Sequence, residues 1–346
     1  MSEKKGFTLI ELLVTLAILT VALAITYKGY LTVLKVQKQQ IDISAKNLSI
    51  PMAIETIRRD IEMAGFGIPR ITAGSCSEAV ADTKYTPDPT VLNTNCSPLM
   101  PFSVSDNTGA NQSDILAVRA SIADLNKFTR HWGYISPDGY EEKGDSVSNI
   151  DDVVFNVIDP VDMSLLRVPC RLKDLGSIKR TYLVYGLGDS SVVMPFNRVD
   201  YYLYRNSSAF SKCSPNTYNL YRAVIKQSDG KRNGEPILSC VRDFQVVFGL
   251  DENGNGKIEK TEWKTKLPNK LYDLDKQLKQ VRVYILFQEG KKDMNFTFKN
   301  KITLGDSDVG TIKEFTPTGD ETHYRWRVIR ITAVPINLTI RKRNLK

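Results

Sequence analysis

Histidine is almost missing from this chain: His131 and His323 are the two in 346 residues. Neither stands in a nucleophile and acid pattern of the kind a catalytic triad requires, so both read as packed or surface residues. Cysteine is sparse too. Cys76, Cys96, Cys170, Cys213 and Cys240 lie far apart with no CxxC spacing, which argues against a zinc cluster. A phosphate loop is lacking: Gly186-Leu-Gly188-Asp189 has neither a third glycine nor a following Lys-Ser/Thr pair, and reads as a turn. No internal repeat is visible. Charge of one sign does not dominate, since 47 Lys+Arg face 39 Asp+Glu for a net +8. Nucleic acid is therefore not indicated as a partner, although the balance permits contact with it or with anionic lipid. The basic tail Arg341, Lys342, Arg343 and Lys346 reads as a solvated end. Tyr201, Tyr202 and Tyr204 read as strand packing rather than a stacking platform for bases.

What is present begins at the N-terminus. Met1–Gly6 carries Lys4 and Lys5, and Phe7–Thr26 is apolar or small throughout except for Glu11. At 1.5 Å per residue that segment spans about 30 Å, the thickness of a bilayer core. The lysines should stay cytoplasmic, which leaves the rest of the chain outside. An ordinary secretory signal has its cleavage site after the apolar stretch. Here the charged leader and Gly6 precede it, so cutting after Gly6 would remove the charges and keep the membrane helix. A lone carboxylate in hydrocarbon costs roughly 2.5–3.5 kcal/mol on insertion scales, so Glu11 requires a reason. The new N-terminal amine of a neighbouring subunit could pair with it and set the axial register.

Gly6-Phe7-Thr8-Leu9-Ile10-Glu11 resembles the cleavage and methylation motif of type IV prepilins and type II secretion pseudopilins. The resemblance implies a prepilin peptidase that cuts between Gly6 and Phe7 and N-methylates Phe7. Glu11 is then the fifth mature residue, where this family carries its glutamate.

Beyond Thr26 the pattern turns amphipathic. Ile41, Ala45, Leu48 and Met52 mark one face, and Ile50, Ile54, Ile57 and Ile61 an adjacent one, at helical intervals. Pro51 should kink this run, and Gly65, Gly67 and Pro69 should end it. One helix over 7–65 is expected, with its membrane segment at 7–26. The stretch Ile54–Gly67, with its Arg58-Arg59-Asp60 and Met63-Ala64-Gly65, resembles the helix end of PilW-type minor pilins. Secretion pseudopilins of the J class are related. Tyr201-Tyr202-Leu203-Tyr204, Leu220-Tyr221-Arg222 and Val241-Arg242-Asp243-Phe244-Gln245-Val246 resemble successive strands of that family's head.

Residues 66–346 read as a β-rich head. Strands are expected at Asp114–Arg119, Val153–Val157, Arg180–Leu187, Arg198–Tyr204, Asn219–Ile225, Phe244–Leu250, Val281–Gln288 and Arg325–Ala333, separated by Gly, Pro, Asn and Asp. The polar stretch 71–112 is expected as a long loop. In an oxidising compartment some cysteines would pair. Connectivity is open from sequence, and the local pairings are Cys76 with Cys96 and Cys213 with Cys240, which leave Cys170 over. The fold class is thus α+β: a long N-terminal helix on a mainly antiparallel β-sheet head, the pilin architecture.

Asp251–Glu262 fits D-x-[DN]-x-[DN]-G-x₅-E in full. Side-chain oxygens of Asp251, Asn253 and Asn255 would converge on a Ca²⁺ ion, Gly256 would allow the sharp turn, Lys257 would offer its carbonyl and Glu262 both carboxylate oxygens. Glu259 holds the position that often binds through water, and Ile258 would anchor the loop. A strand rather than a helix precedes it, so this is not a paired-helix EF-hand. Its expected role is structural, and two neutral Asn ligands should weaken affinity.

Taken with the resemblance, these features describe a non-enzymatic subunit of an extracytoplasmic filament. A head this bulky resembles a minor pilin of the priming or tip complex. Implied partners are the major pilin, other minor pilins, the prepilin peptidase and the inner-membrane assembly platform. The chain would be a single-pass inner-membrane protein before assembly and lie in the pilus, periplasm or cell surface after. Rival readings are a type II secretion pseudopilin and a tip adhesin or DNA-uptake binder.

Overall fold

The computed structural model describes residues 8–70, 78–79, 92–93, 99–146, 149–166, 169–205 and 213–339. It divides into two units, Met1–Ser49 and Ile50–Lys346. The protein is α+β.

The first unit is helical. Helix α1 runs Leu9–Glu62 and continues through Pro51. Its Leu9–Leu31 portion has mean hydropathy 2.5 and buries none of its surface. Leu9, Ile10, Ile18 and Ile25 are all more than 60% exposed. A helix apolar on every side and covered on none has the surface of a membrane span. The span extends to Leu31, beyond the expected Thr26.

The second unit opens with the last turns of α1. Ala53, Ile57 and Ile61 are buried, with Ile50 and Ile54 packed beside them. Met52 is 65% exposed, so of the two expected faces the Ile50–Ile61 stripe is the one that packs. The helix ends at Glu62, and Gly65 and Gly67 follow in the left-handed region that favours glycine.

That stripe packs on a large antiparallel sheet. Its strands are β1 (Phe102–Ser105), β2 (Ile115–Ala120), β7 (Asn197–Tyr204), β8 (Tyr218–Ile225), β9 (Arg232–Leu250), β11 (Leu278–Glu289) and β14 (Arg325–Ala333), adjacent in that order. A short strand, β10 (Trp263–Lys264), pairs back on β9. Alternation sorts the side chains. Val246, Phe248, Val283 and Ile285 join Ile57 and Ile61 in one core. Val247, Tyr284 and Leu286 point to the other face and pack with Leu304, Phe315 and Trp326. Leu304 and Phe315 come from the hairpin β12 (Ile302–Asp306) and β13 (Gly310–Phe315).

A smaller sheet is inserted in the chain between β2 and β7. It orders β4 (Gly139–Glu142), β3 (Trp132–Ser136), β6 (Tyr182–Gly188) and β5 (Val154–Ile158). Ile135, Phe155, Val157 and Val184 form its own core. The head is therefore three sheets rather than one.

All eight expected strands are present, and four expectations need correction. Residues 102–105, inside the expected 71–112 loop, form the edge strand β1. Gly186 and Gly188 lie in β6, not in a turn. A Cβ on Gly186 would stand 2.2 Å from the Phe128 carbonyl oxygen, so glycine here serves close backbone approach. His323 lies in a short 3₁₀ helix, Gly319–His323, before β14. His131 is buried and does meet a carboxylate, with its Nδ1 3.3 Å from Glu142.

Candidate functional site

The start of α1 is capped by its own sequence. Thr8 Oγ1 accepts from the Glu11 N–H at 3.4 Å. Glu11 Oε2 in turn accepts from the Thr8 N–H and the Thr8 hydroxyl, both at 2.9 Å. This is the reciprocal capping box of a T-x-x-E sequence. It satisfies donors that a helix start otherwise leaves bare, and it holds the Glu11 carboxylate at the N-terminal end of the span. Gly6 and Phe7 lie outside the described residues.

Within the head, the three stretches that resemble PilW strands meet the helix end. Asp60 is 8% exposed. Its Oδ2 accepts from the Tyr201 hydroxyl and from Arg222 Nε, both at 2.6 Å. Arg222 also donates to the Ala123 carbonyl at 2.7 Å. Burial, with the Asp60 charge beside it, raises the Tyr201 phenol well above its ordinary pKa. Arg58-Arg59-Asp60 had the right residue for a sequence signal, but its partners are 141 and 162 positions away. The tyrosines behave as strand packing: Tyr202 stacks on Tyr221 with centroids 5.9 Å apart.

A buried charge network was not visible in the sequence. Arg119 on β2 grips Glu78 with two 2.7 Å bonds. Arg198 on β7 grips Asp200 at 2.7 and 3.0 Å and lies 3.4 Å from Glu78. All four side chains are fully buried. Such paired, bidentate groups tolerate burial where single charges do not. Arg119 and Arg198 face each other in the β2–β7 register. Their sequence signal is an Arg inside an apolar strand run, which reads equally well as an outward-facing charge.

The Asp251–Glu262 stretch connects β9 to β10, with no helix pair flanking it. Gly249 beneath it has no Cβ; one would stand 2.6 Å from the Ile258 side chain and 3.1 Å from Trp263. Ile258 thus lies over the sheet, as expected of an anchor. Glu262 is 4% exposed and caps the 3₁₀ turn Lys260–Glu262 through the Glu259 N–H at 2.8 Å. Asn253 Oδ1 accepts from the Asn255 N–H at 2.9 Å, and Asn255 Oδ1 from the Lys257 N–H at 2.8 Å. Among the described residues no group of three or more His, Cys, Asp or Glu gathers as a metal site. This loop brings two such acids, Asp251 and Glu262, together with amide oxygens.

Cys213 and Cys240 form a disulfide, with Cα atoms 5.3 Å apart. Cys170 bridges by its backbone to Phe155. Cys76 and Cys96 lie outside the described residues, as does the basic tail.

Two family models match the chain. Residues 1–27 match the prokaryotic N-terminal methylation motif, and residues 200–337 match Type IV Pilus-assembly protein W. The second match begins in β7 and covers β8 to β14, the part of the large sheet that follows the inserted one. No curated protein and no solved structure matches the chain.

Proposed function

Because the chain is a PilW-like type IV pilin bearing the N-terminal methylation motif, we propose that it acts as a minor pilin in the priming or tip complex of a pilus. The observation that carries this reading is one carboxylate, Glu11, at the head of an apolar helix whose span is uncovered on every side. Families of this kind are structural components, and the role proposed is not catalytic. A prepilin peptidase would cut between Gly6 and Phe7 and methylate the new Phe7 amine. Before assembly the helix holds the protein in the inner membrane with Lys4 and Lys5 on the cytoplasmic side. On docking, Glu11 exchanges its Thr8 bonds for the Phe7 amine of a neighbouring pilin. Partners would be the major pilin, sibling minor pilins and the assembly platform.

N-terminal mass analysis of the protein from its own host's membranes tests the processing. The expected result is a mature chain starting at Phe7 with one added methyl group. A chain that still starts at Met1, in cells whose peptidase processes other substrates, would overturn it.

A further inference from the structure

The 251–262 connection holds a carboxylate that its own fold leaves half satisfied. Asp251 is 4% exposed. Its Oδ2 accepts from the Gly256 N–H at 3.1 Å, so the group faces into the loop, and it meets the Lys279 ammonium at 3.0 Å. Its Oδ1 is buried and meets no donor. A buried carboxylate oxygen without a partner has given up water for nothing, and calls for a donor or a cation. Across the loop the Glu262 carboxylate is buried as well, turned inward onto the N–H groups of Glu252 at 3.0 Å and Asn253 at 3.3 Å. Gly254 and Gly256, both left-handed, wrap the chain over the space between. Asn253 and Asn255 remain exposed above.

Lys279 is the second clue. The register of β11 against β9 slips between Leu278 and Gln280, which places Lys279 at an irregularity of the strand. Its ammonium turns to Asp251 from there. One cation thus already occupies one side of the site.

We propose that the 251–262 connection is a low-affinity calcium site. The ion takes Asp251, the side-chain oxygens of Asn253 and Asn255, the Lys257 carbonyl and Glu262, and Lys279 stands in for it on Asp251 when calcium is scarce. An all-oxygen set on a flexible loop suits a large hard cation and suits magnesium poorly, since magnesium demands a tight octahedron. Two neutral ligands and a competing lysine place the site among extracellular modules that bind at about 10⁻⁴–10⁻³ M. The loop joins β9 to β10 beside β11, so its occupation would stiffen that end of the sheet. The inference stands independently of the proposed place in the filament.

The test is a calcium titration of the full chain in mild detergent, read by thermal unfolding and by tryptophan fluorescence. Trp263 follows Glu262 directly, and its ring lies 4.4 Å from the Arg282 guanidinium. The expected result is a rise in Tm that saturates around 10⁻³ M calcium, with no comparable rise in magnesium. Substituting Asn253→Ala with Asn255→Ala leaves both buried carboxylates in place, so the protein should fold and lose calcium affinity at least tenfold. Lys279→Met should bind calcium several-fold more tightly than the wild type. A flat wild-type response to about 10 mM calcium, ten times the weak end of that range, would overturn the site. So would a full calcium response in the double asparagine variant, or an equal shift with magnesium. Unchanged affinity in Lys279→Met would remove the stand-in role of the lysine.

Discussion

Asp114 shows how much one buried acid can govern. It is fully buried; its Oδ1 accepts from the Asn107 N–H at 2.9 Å and its Oδ2 from the Val246 N–H at 2.7 Å. Burial is the larger influence, with Asp106 and Asp243 adding repulsion, and the carboxyl is raised from 3.8 to about 7. The folded state therefore holds this proton more tightly than the unfolded state does. The resulting stabilisation is complete below pH 3.8, declines as pH rises, and is gone above about pH 7. Other carboxylates act in the opposite sense: Asp306 is pulled down, where Tyr284, Arg330 and Arg282 outweigh its burial. The comparison that isolates Asp114 is with Asp114→Asn, whose amide loses one of two accepted bonds at every pH. The stability difference between wild type and variant should shrink steadily from pH 4 to 7 and level off above. A difference that does not vary with pH would show that the carboxyl titrates normally.

At the scale of elements, the end of α1 is held to the large sheet by a stripe and a pin. The stripe of Ile57 and Ile61 was legible because 3.6 residues per turn brings them to one side. The pin was not. Asp60 stands among polar neighbours and reads as solvated, until Tyr201 and Arg222 close on it from β7 and β8. Removing one member of such a buried pair leaves the other uncompensated. Asp60→Ala should cost about 3 kcal/mol in chemical denaturation, while Tyr201→Phe should cost about 1 kcal/mol. Equal small losses for both would mean that water already serves Arg222. The hidden first half of β9 has a similar explanation. Asn233, Gly234 and Pro236 signal a turn, but Pro236 pairs opposite Tyr221, where the β8 register shifts and a missing N–H is tolerated.

For the whole molecule the decisive residue is Glu11. Its carboxylate costs membrane insertion roughly 2.5–3.5 kcal/mol, and in this chain it caps its own helix through Thr8. Glu11→Ala should therefore enter the membrane at least as well as wild type. In filaments sheared from cells it should be absent or strongly depleted, since nothing would meet the neighbour's Phe7 amine. Wild-type amounts of this variant in sheared filaments would contradict the assembly role given to Glu11.

Everything that depends on order along the chain was settled by sequence. The leader and Gly6 before an apolar run, Glu11 at its head, the period of the isoleucines and the alternation of eight strands are local patterns, and local backbone geometry converts them directly into a span, a stripe and a sheet. The spacing of Asp251 to Glu262 belongs here too. Tertiary structure alone decided which strands are neighbours, that β3 to β6 form a sheet of their own, and that Glu78 lies against Arg119 and Arg198. It also brought Lys279 to Asp251. These are contacts between residues far apart in the chain, made where burial removes water and forces each charge to find a partner, and no period or spacing records which partner it will be.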